Sequence, residues 1–367
     1  MTNFKNEENK TEQKVVEQVK IQMPKKFFYK FVEVLKCQSN HRNEKIITHY
    51  VTKELDRLGI SWEIDNIGNI LATKGKAEVY PCVASHLDTV HDFVTNFRIV
   101  QQKGNLFAMS GAKQVGIGGD DKCGVFACLY YLEKYENIKA VFFTSEEVGT
   151  IGAYNIDLDF FKDCGYIIEI DRKGYGDLID RYDSDLTTNG EFDLKTEDIQ
   201  DKYEYKSEFG LMTDVFVLFE RGVGISVINL SCGYYNPHRS EEYINVNQYW
   251  KVINFVDEMI TALGENKYEA KPEKTTKTYK WFDEDYYDGY GNYRTYDSRK
   301  PNVVTPSETG YVNKGGVTYY EGRKVTGPFD EDDTTDDINA GFPKIGNTRK
   351  NEIIHDDEYG TWFKVPD

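Results

Sequence analysis

Up to Leu263, apolar positions follow two rhythms. FFYKFVEVLKC (27–37) is dense in apolar residues and predicts a helix. In the stretch that follows, Ile46, Ile47, Tyr50, Val51, Leu55 and Leu58 recur at helical spacing, with Ser39 or Asn40 ahead of them as a cap and Gly59 behind them as a stop. Short apolar runs then predict strands: SWEID and NILATKG around a turn at Asn66-Ile67-Gly68, VYPCVAS (79–85), LFAMS (106–110), KAVFFT (139–144), GYIIEI (165–170) and ISVINL (225–230). CGVFACLYYLEKYENI (123–138) and TDVFVLFERG (213–222) read as helices, and YWKVINFVDEMITAL (249–263) as a closing amphipathic helix. Strands alternating with helices predict an α/β fold, a three-layer sandwich with a mostly parallel central sheet.

The pattern stops at Leu263. The remainder contains no Leu, Met or Cys and is rich in Tyr, Asp, Gly, Thr and Lys. So little aliphatic surface does not offset chain entropy in a core of its own. The expected organisation is a polar N-terminal arm (1–23), a folded domain (24–266) and a tail (267–367) with short hairpins around VTYYEGRKVTG (317–327).

Charge and cysteine use narrow the function classes. A net charge of −17 over 367 residues disfavours nucleic-acid and anionic-membrane partners, which call for basic patches. There is no run of about 20 apolar residues, as a membrane-spanning helix needs. The first residues, MTNFKNEENKTEQK, lack the apolar core of a secretory signal, so a cytoplasmic location is expected. The six cysteines form no CxxC pair and sit in apolar settings, which predicts reduced core residues and no thiolate zinc site.

The chain holds only six histidines. His86 closes the VYPCVAS strand, and His238 follows the ISVINL strand. Asp88, Asp120, Asp121, Glu146, Glu147 and Asp171 lie at other strand ends or in connecting loops. Singly, each has an ordinary explanation as a strand-end residue, a turn or a cap. Jointly they crowd the carboxyl edge of one parallel sheet, where ligands of such sheets gather. Glu146 and Glu147 are adjacent directly after a buried run, and like charges resist burial unless a cation holds them. Histidine and carboxylate donors together suit zinc or a similar divalent metal, and two such ions can share one carboxylate.

SHLDTV, GGDDKCGV, FTSEEVGTIGA, IIEID and TDVFVLFERG…SCGYYNPHRSEEYI, in that order over about residues 30 to 263, resemble the co-catalytic zinc exopeptidases, and most of all the peptidase T branch of the aminoacylase and carboxypeptidase family. The resemblance implies two divalent ions, zinc or else cobalt or manganese. His86 and Asp171 would bind the first, Glu147 and His238 the second, and Asp120 both. Asp88 would hold the other ring nitrogen of His86, and Glu146 would act as general base toward a metal-activated water. It implies hydrolysis of amide bonds in small peptides, or removal of an acyl group from an amino acid. A reading of another class is a binding or structural protein on the same fold that has lost catalysis.

One departure from the family concerns size. Only 67 positions separate Asp171 from His238, too few for the second, lid-like domain of peptidase T relatives. A monomer without a lid is therefore expected. Tyr234, Tyr235, Arg239, Arg172 and Lys173 are candidates for the missing substrate-gripping groups. His41, His49, His91 and His355 are read as structural or surface residues, and Asp214 as a helix cap.

Overall fold

YPCVASH (80–86) becomes a strand because all of its residues are buried, on both faces of a sheet. In the computed structural model, residues 22–272 are described except positions 42 and 184, together with the backbone of a few short strands beyond them. The expected N-terminal arm lies almost wholly outside the described residues, as does most of the tail. The anticipated hairpin is present as Val317–Tyr320 paired with Arg323–Lys324.

The main sheet contains β1 (Ser61–Ile64), β2 (Ile70–Lys74), β3 (Tyr80–His86), β7 (Ile138–Phe143), β8 (Cys164–Arg172), β9 (Asp177–Tyr182), β10 (Asp185–Leu186), β11 (Lys206–Gly210) and β12 (Ser226–Ser231). Their order is β1-β2-β7-β3-β8-β12-β9-β10, with β11 on β9. The centre, β7-β3-β8-β12, is parallel; β2 and β9 pair with its two sides antiparallel, and β1 and β10 pair antiparallel with β2 and β9 in turn.

Alternate strand residues supply two cores. Val83, Tyr166, Ile168 and Ile228 face α1 (Lys25–Lys36), α2 (Lys45–Leu58), α3 (Gly119–Lys134), α5 (Gly190–Tyr203) and α7 (Val246–Leu263). Cys82, Ala84, Ile167 and Val227 face α4 (Ile151–Asn155) and α6 (Asp214–Glu220). The result is the three-layer sandwich expected from the alternating pattern. All six cysteines are free and buried. Tyr268, at the start of the expected tail, packs against Tyr166 and Phe192.

Some local expectations need correction. α2 begins at Lys45 with Glu44 at its N-cap position, so neither Ser39 nor Asn40 caps it. Asn40 instead accepts a hydrogen bond from the Asn43 backbone in a tight turn. Gly59 does end the helix, at φ 66°, where a residue without a Cβ is favoured. Asp214 is not a cap: Thr213 holds that position, and Asp214 is fully buried with neither carboxylate oxygen hydrogen-bonded to a described residue.

A second, antiparallel sheet was only partly visible in the pattern. It contains β4 (Phe97–Gln102), β5 (Asn105–Ser110), β6 (Lys113–Val115), β13 (Tyr234–Tyr235) and β14 (Tyr243–Asn245). β13 and β14 pair as a hairpin, and β14 is anchored on β5. The tip of this hairpin carries His238. No helix among the described residues is long and apolar enough to cross a membrane.

Candidate metal centre

Parallel register brings the candidates together. His86 lies beside Phe143 of β7, and Ala84 beside Glu169 of β8. The last residue of β3, the loop after β7 and the end of β8 therefore open on one edge. α3 starts at the same edge with Asp120, next to which the Asp120–Asp121 peptide is cis.

His86 is fully buried. Its Nδ1 lies 3.0 Å from the backbone carbonyl of Asp88 and 3.4 Å from Asp88 Oδ1. A carbonyl only accepts, so Nδ1 carries the proton and Nε2 presents its lone pair to the cluster. Nε2 is 3.2 Å from Asp120 Oδ1, 3.6 Å from Asp171 Oδ2 and 3.9 Å from Glu146 Oε2. Asp120 Oδ2 is 3.2 Å from His238 Nε2, which also lies 3.1 Å from Glu147 Oε2. Asp120 thus spans two groups of donors, one holding His86 and Asp171, the other Glu147 and His238. Ligand atoms of His86, Asp120 and Glu147 all lie within 4.8 Å of one another, as do those of His86, Asp121 and Asp171.

Asp121 has a different task from its neighbour. Its oxygens accept the backbone N–H groups of His86 and Gly124, at 3.2 and 2.8 Å, and tie β3 to α3. A Cβ on Gly124 would come within 2.2 Å of that carboxylate, so glycine is required there.

The loop carrying Glu146 and Glu147 is held from three sides. Asp88 accepts from the N–H of both glutamates. Glu44 accepts from the Thr144 hydroxyl at 2.6 Å and the Ser145 N–H at 3.0 Å. Buried Asn69 accepts from the Thr144 N–H and donates to the Gly152 carbonyl. The start of α3 is held by Glu242, fully buried, which accepts from Gly118 N–H at 2.8 Å, Asp120 N–H at 3.2 Å and His91 Nε2 at 2.7 Å. The sequence reading missed Glu44, Asn69 and Glu242. The available signal for Glu242 was a second Glu-Glu pair, close after His238, of which Glu241 is exposed and Glu242 buried.

The residues present fit divalent cations. Asp120, Glu146, Glu147 and Asp171 converge with no lysine or arginine of the described residues in contact, and the buried Glu147 Oε1 has no hydrogen-bond partner among them. Such a cluster of acids costs several kcal/mol unless protons or cations compensate it. Protonation affinities reflect this. Burial, then the charge of Asp120, pushes Asp171 up to about 7. Burial pushes Glu146 well above the carboxylate range, and Asp171, Glu147 and Asp120 add to this against the pull of His86. Hydrogen bonds to Asp120 and Glu147 push the His238 imidazole up to about 10. Burial opposes ionisation of Asp120 too, but His238 and His86 outweigh it and hold that carboxyl below its usual range.

A cleft of about 230 Å³ opens onto the cluster. Ile179, Leu211, Met212 and Phe216 give it an apolar wall, and Arg172 and Lys173 stand at its border. Arg172 is engaged by Asp177 at 3.0 Å.

The fold is shared with solved peptidase structures. One is aminopeptidase PepT from Bacillus cereus, with 16% identity, a TM-score of 0.55 and coverage of 65% of this chain and 98% of that one. Another is a tripeptidase from Staphylococcus aureus, with 15% identity, a TM-score of 0.55 and the same coverage of both chains. No protein-family model and no curated protein matches the chain.

Proposed function

We propose that the chain is a metal-dependent exopeptidase that hydrolyses amide bonds in small peptides. The observation that carries this reading is Asp120, whose two oxygens each lie 3.2 Å from Nε2 of a different histidine. His86 and Asp171 would hold one divalent ion, Glu147 and His238 a second, and Asp120 both, zinc being the metal that imidazole and carboxylate donors suit best. Bound there, the ions would polarise the scissile carbonyl and acidify water, from a pKa of ~15.7 toward ~7.

The protein's own contribution centres on Glu146. It faces the cluster but stands farther from His86 Nε2 than Asp120 and Asp171 do, at 3.9 Å against 3.2 and 3.6 Å. Burial makes it a strong enough base to take the proton of the attacking water. As the C–O bond forms and the C–N bond breaks, the same carboxyl returns that proton to the leaving amine. The N-terminal side chain of the peptide would lie against the apolar wall of the cleft.

The segment between Asp171 and His238 supports a site without a lid. It supplies β9, β10, β11 and β12 to the main sheet, with α5 and α6 packed on it. Glu146→Gln tests the reading: kcat should fall by about 10²–10⁴, with the content of two divalent ions per chain unchanged. N-acyl amino acids serve as comparison substrates. Turnover of peptides untouched by this substitution, or absent from the metal-loaded protein, overturns the proposal.

A further inference from the structure

We propose that a second cleft, beside the tip of the β13–β14 hairpin, is a binding site for a phosphate group, separate from the metal centre. The cleft measures about 200 Å³ and lies between the segment after α1, the loop after β3, β6 and the hairpin tip. Its walls are fixed by the chain itself. The Gln38 amide accepts from the Val94 N–H at 2.8 Å and donates to the Val94 carbonyl at 3.0 Å, which braces the segment after α1 against the loop after β3. The His91 ring packs so closely on Gly116 that a Cβ there would come within 2.0 Å of it, and Nε2 of the same ring bonds to the buried Glu242. A ligand entering this cleft meets a preformed surface and has little to order on binding.

Two of the lining side chains are buried donors with poor partners. Lys122 is 3% exposed and donates only to the carbonyls of Leu35 and Ile117, each 3.4 Å from Nζ. Those are long bonds for a buried ammonium, and it forms no ion pair with a described residue. Its Nζ stands 5.9 Å from the centre of the Phe97 ring, which lines the same cleft. Ser39 is 2% exposed, and its hydroxyl has no hydrogen-bond partner among the described residues. Buried donors rarely go unpaired, and both of these are available to an anion in the cleft.

Charge and shape select the anion. Lys113 and Arg239 complete the cationic lining; both are exposed and make no side-chain hydrogen bond or ion pair with a described residue. Asp92 is the one lining carboxylate, and His238, which also borders the cleft, turns its Nε2 to Asp120 and Glu147. Elsewhere in this chain of net charge −17, cations such as Lys134, Lys139 and Lys202 are paired with carboxylates. Three cations against one carboxylate form a local field that a dianion matches and a monoanion does not. The donors come from four separate segments, which suits a tetrahedral acceptor better than a flat carboxylate. Arg239 adds a fork of N–H groups, which phosphate oxygens accept in pairs. The metal cleft carries four acids, and of its two cations only Lys173 is free among the described residues.

Calorimetric titration with inorganic phosphate tests the site in the full, zinc-loaded chain freed of excess zinc. About one phosphate should bind per chain, and acetate about tenfold more weakly or worse, a difference of ~1.4 kcal/mol. Lys113→Ala combined with Arg239→Ala should weaken phosphate binding by about tenfold or more, whereas Lys173→Ala, at the metal cleft, should change it by less than about twofold. Lys122 is left unaltered because it is buried. Glycerol 3-phosphate separates the two sources of the group: tighter binding than inorganic phosphate identifies a phosphorylated small molecule, and equal or weaker binding the free ion. Absence of phosphate binding overturns the proposal. So does binding that survives the double substitution, which places the anion on the metal ions instead. Acetate held as tightly as phosphate, or phosphate binding lost in Lys173→Ala, overturns it as well.

Discussion

The carboxylate of Asp88 accepts a hydrogen bond from the backbone N–H of Glu146 across 2.9 Å, although 58 positions of chain separate the two residues. Its other oxygen takes the N–H of Glu147 at 3.2 Å, while its backbone carbonyl receives His86 Nδ1 at 3.0 Å. One buried residue thus sets the ring of His86 and the direction of both loop glutamates.

Asp88→Asn is therefore predicted to act on the metal centre through the loop. The asparagine oxygen can replace one acceptor, but its NH₂ group then faces a backbone N–H. Leaving a buried donor unmatched costs about 1–3 kcal/mol. Metal affinity or kcat/KM should fall by about 10–100-fold, the scale of other outer-sphere losses at metal sites. Competition titration against a chromogenic chelator measures the first, and peptide turnover the second. Unchanged values for both would remove Asp88 from this role.

Glu242 supports the centre from the opposite side. Gly118 N–H and Asp120 N–H bond to different oxygens of its carboxylate, so glutamine in either orientation turns a donor toward a donor. Glu242→Gln should cost about 1–3 kcal/mol and lower the ion content, because Asp120 loses its backbone anchor. His91→Ala, which removes one partner and keeps both backbone bonds, should cost less. Thermal melts rank the two variants, and elemental analysis reads the ions. The reverse ranking contradicts the geometry.

Protonation makes the metal-free protein sensitive to alkali. Burial, then the charge of Asp88, raises Glu44 from 4.5 to about 8, and burial, then Asp171, raises Glu169 from 4.5 to about 8. Asp171 rises from 3.8 to about 7, and His238 from 6.5 to about 10. Each of these groups binds its proton more tightly in the folded chain than in the unfolded one. For the carboxyls, stability falls as pH rises from the unfolded value through the folded one; the His238 contribution is complete below 6.5 and is lost as pH approaches 10. Glu133 works in the opposite sense, although burial alone would raise it: hydrogen bonds from Lys26 and Lys30 lower it to about 2, and its contribution disappears only in acid. The chelated protein should therefore melt at progressively lower temperature from about pH 5.5 to 8.5. Zinc should flatten that decline by replacing protons in the cluster. A melting temperature that climbs with pH in the chelated protein would contradict these shifts.

The acids and imidazoles at strand ends were legible because a parallel sheet turns separate motifs into neighbours. His86, Asp120, Glu146, Glu147, Asp171 and His238 meet where the strand pattern placed them. Their supports were not legible. Glu242 and Asn69 are polar residues in turns, with nothing in their local pattern to distinguish an exposed side chain from one buried against a distant backbone. Short strands such as β6 and β13 fall below the length at which alternation declares itself, so much of the second sheet had no periodic signature. Asp214 was misread because an acid at a helix start normally reaches the first turn's N–H groups, whereas here the side chain lies wholly inside, with Glu146 and Glu169 among the charges that raise its carboxyl, after burial itself.

The two proposed ion positions differ in access to solvent. The His86 side chain is 0% exposed and its neighbour Asp171 8%, whereas His238 is 52% exposed at the tip of a hairpin. An ion held by Glu147 and His238 should exchange sooner, since one of its ligands can swing away without opening the core. Treatment of the zinc-loaded protein with a chelator should release the metal in two phases, about one ion per chain in each. His238→Ala should remove the fast phase and leave about one ion. His86→Ala should deplete the slow one and also lower stability, because it empties a fully buried position beside Asp88. Single-phase loss of both ions, or two ions retained by His238→Ala, would contradict a dinuclear arrangement shared through Asp120.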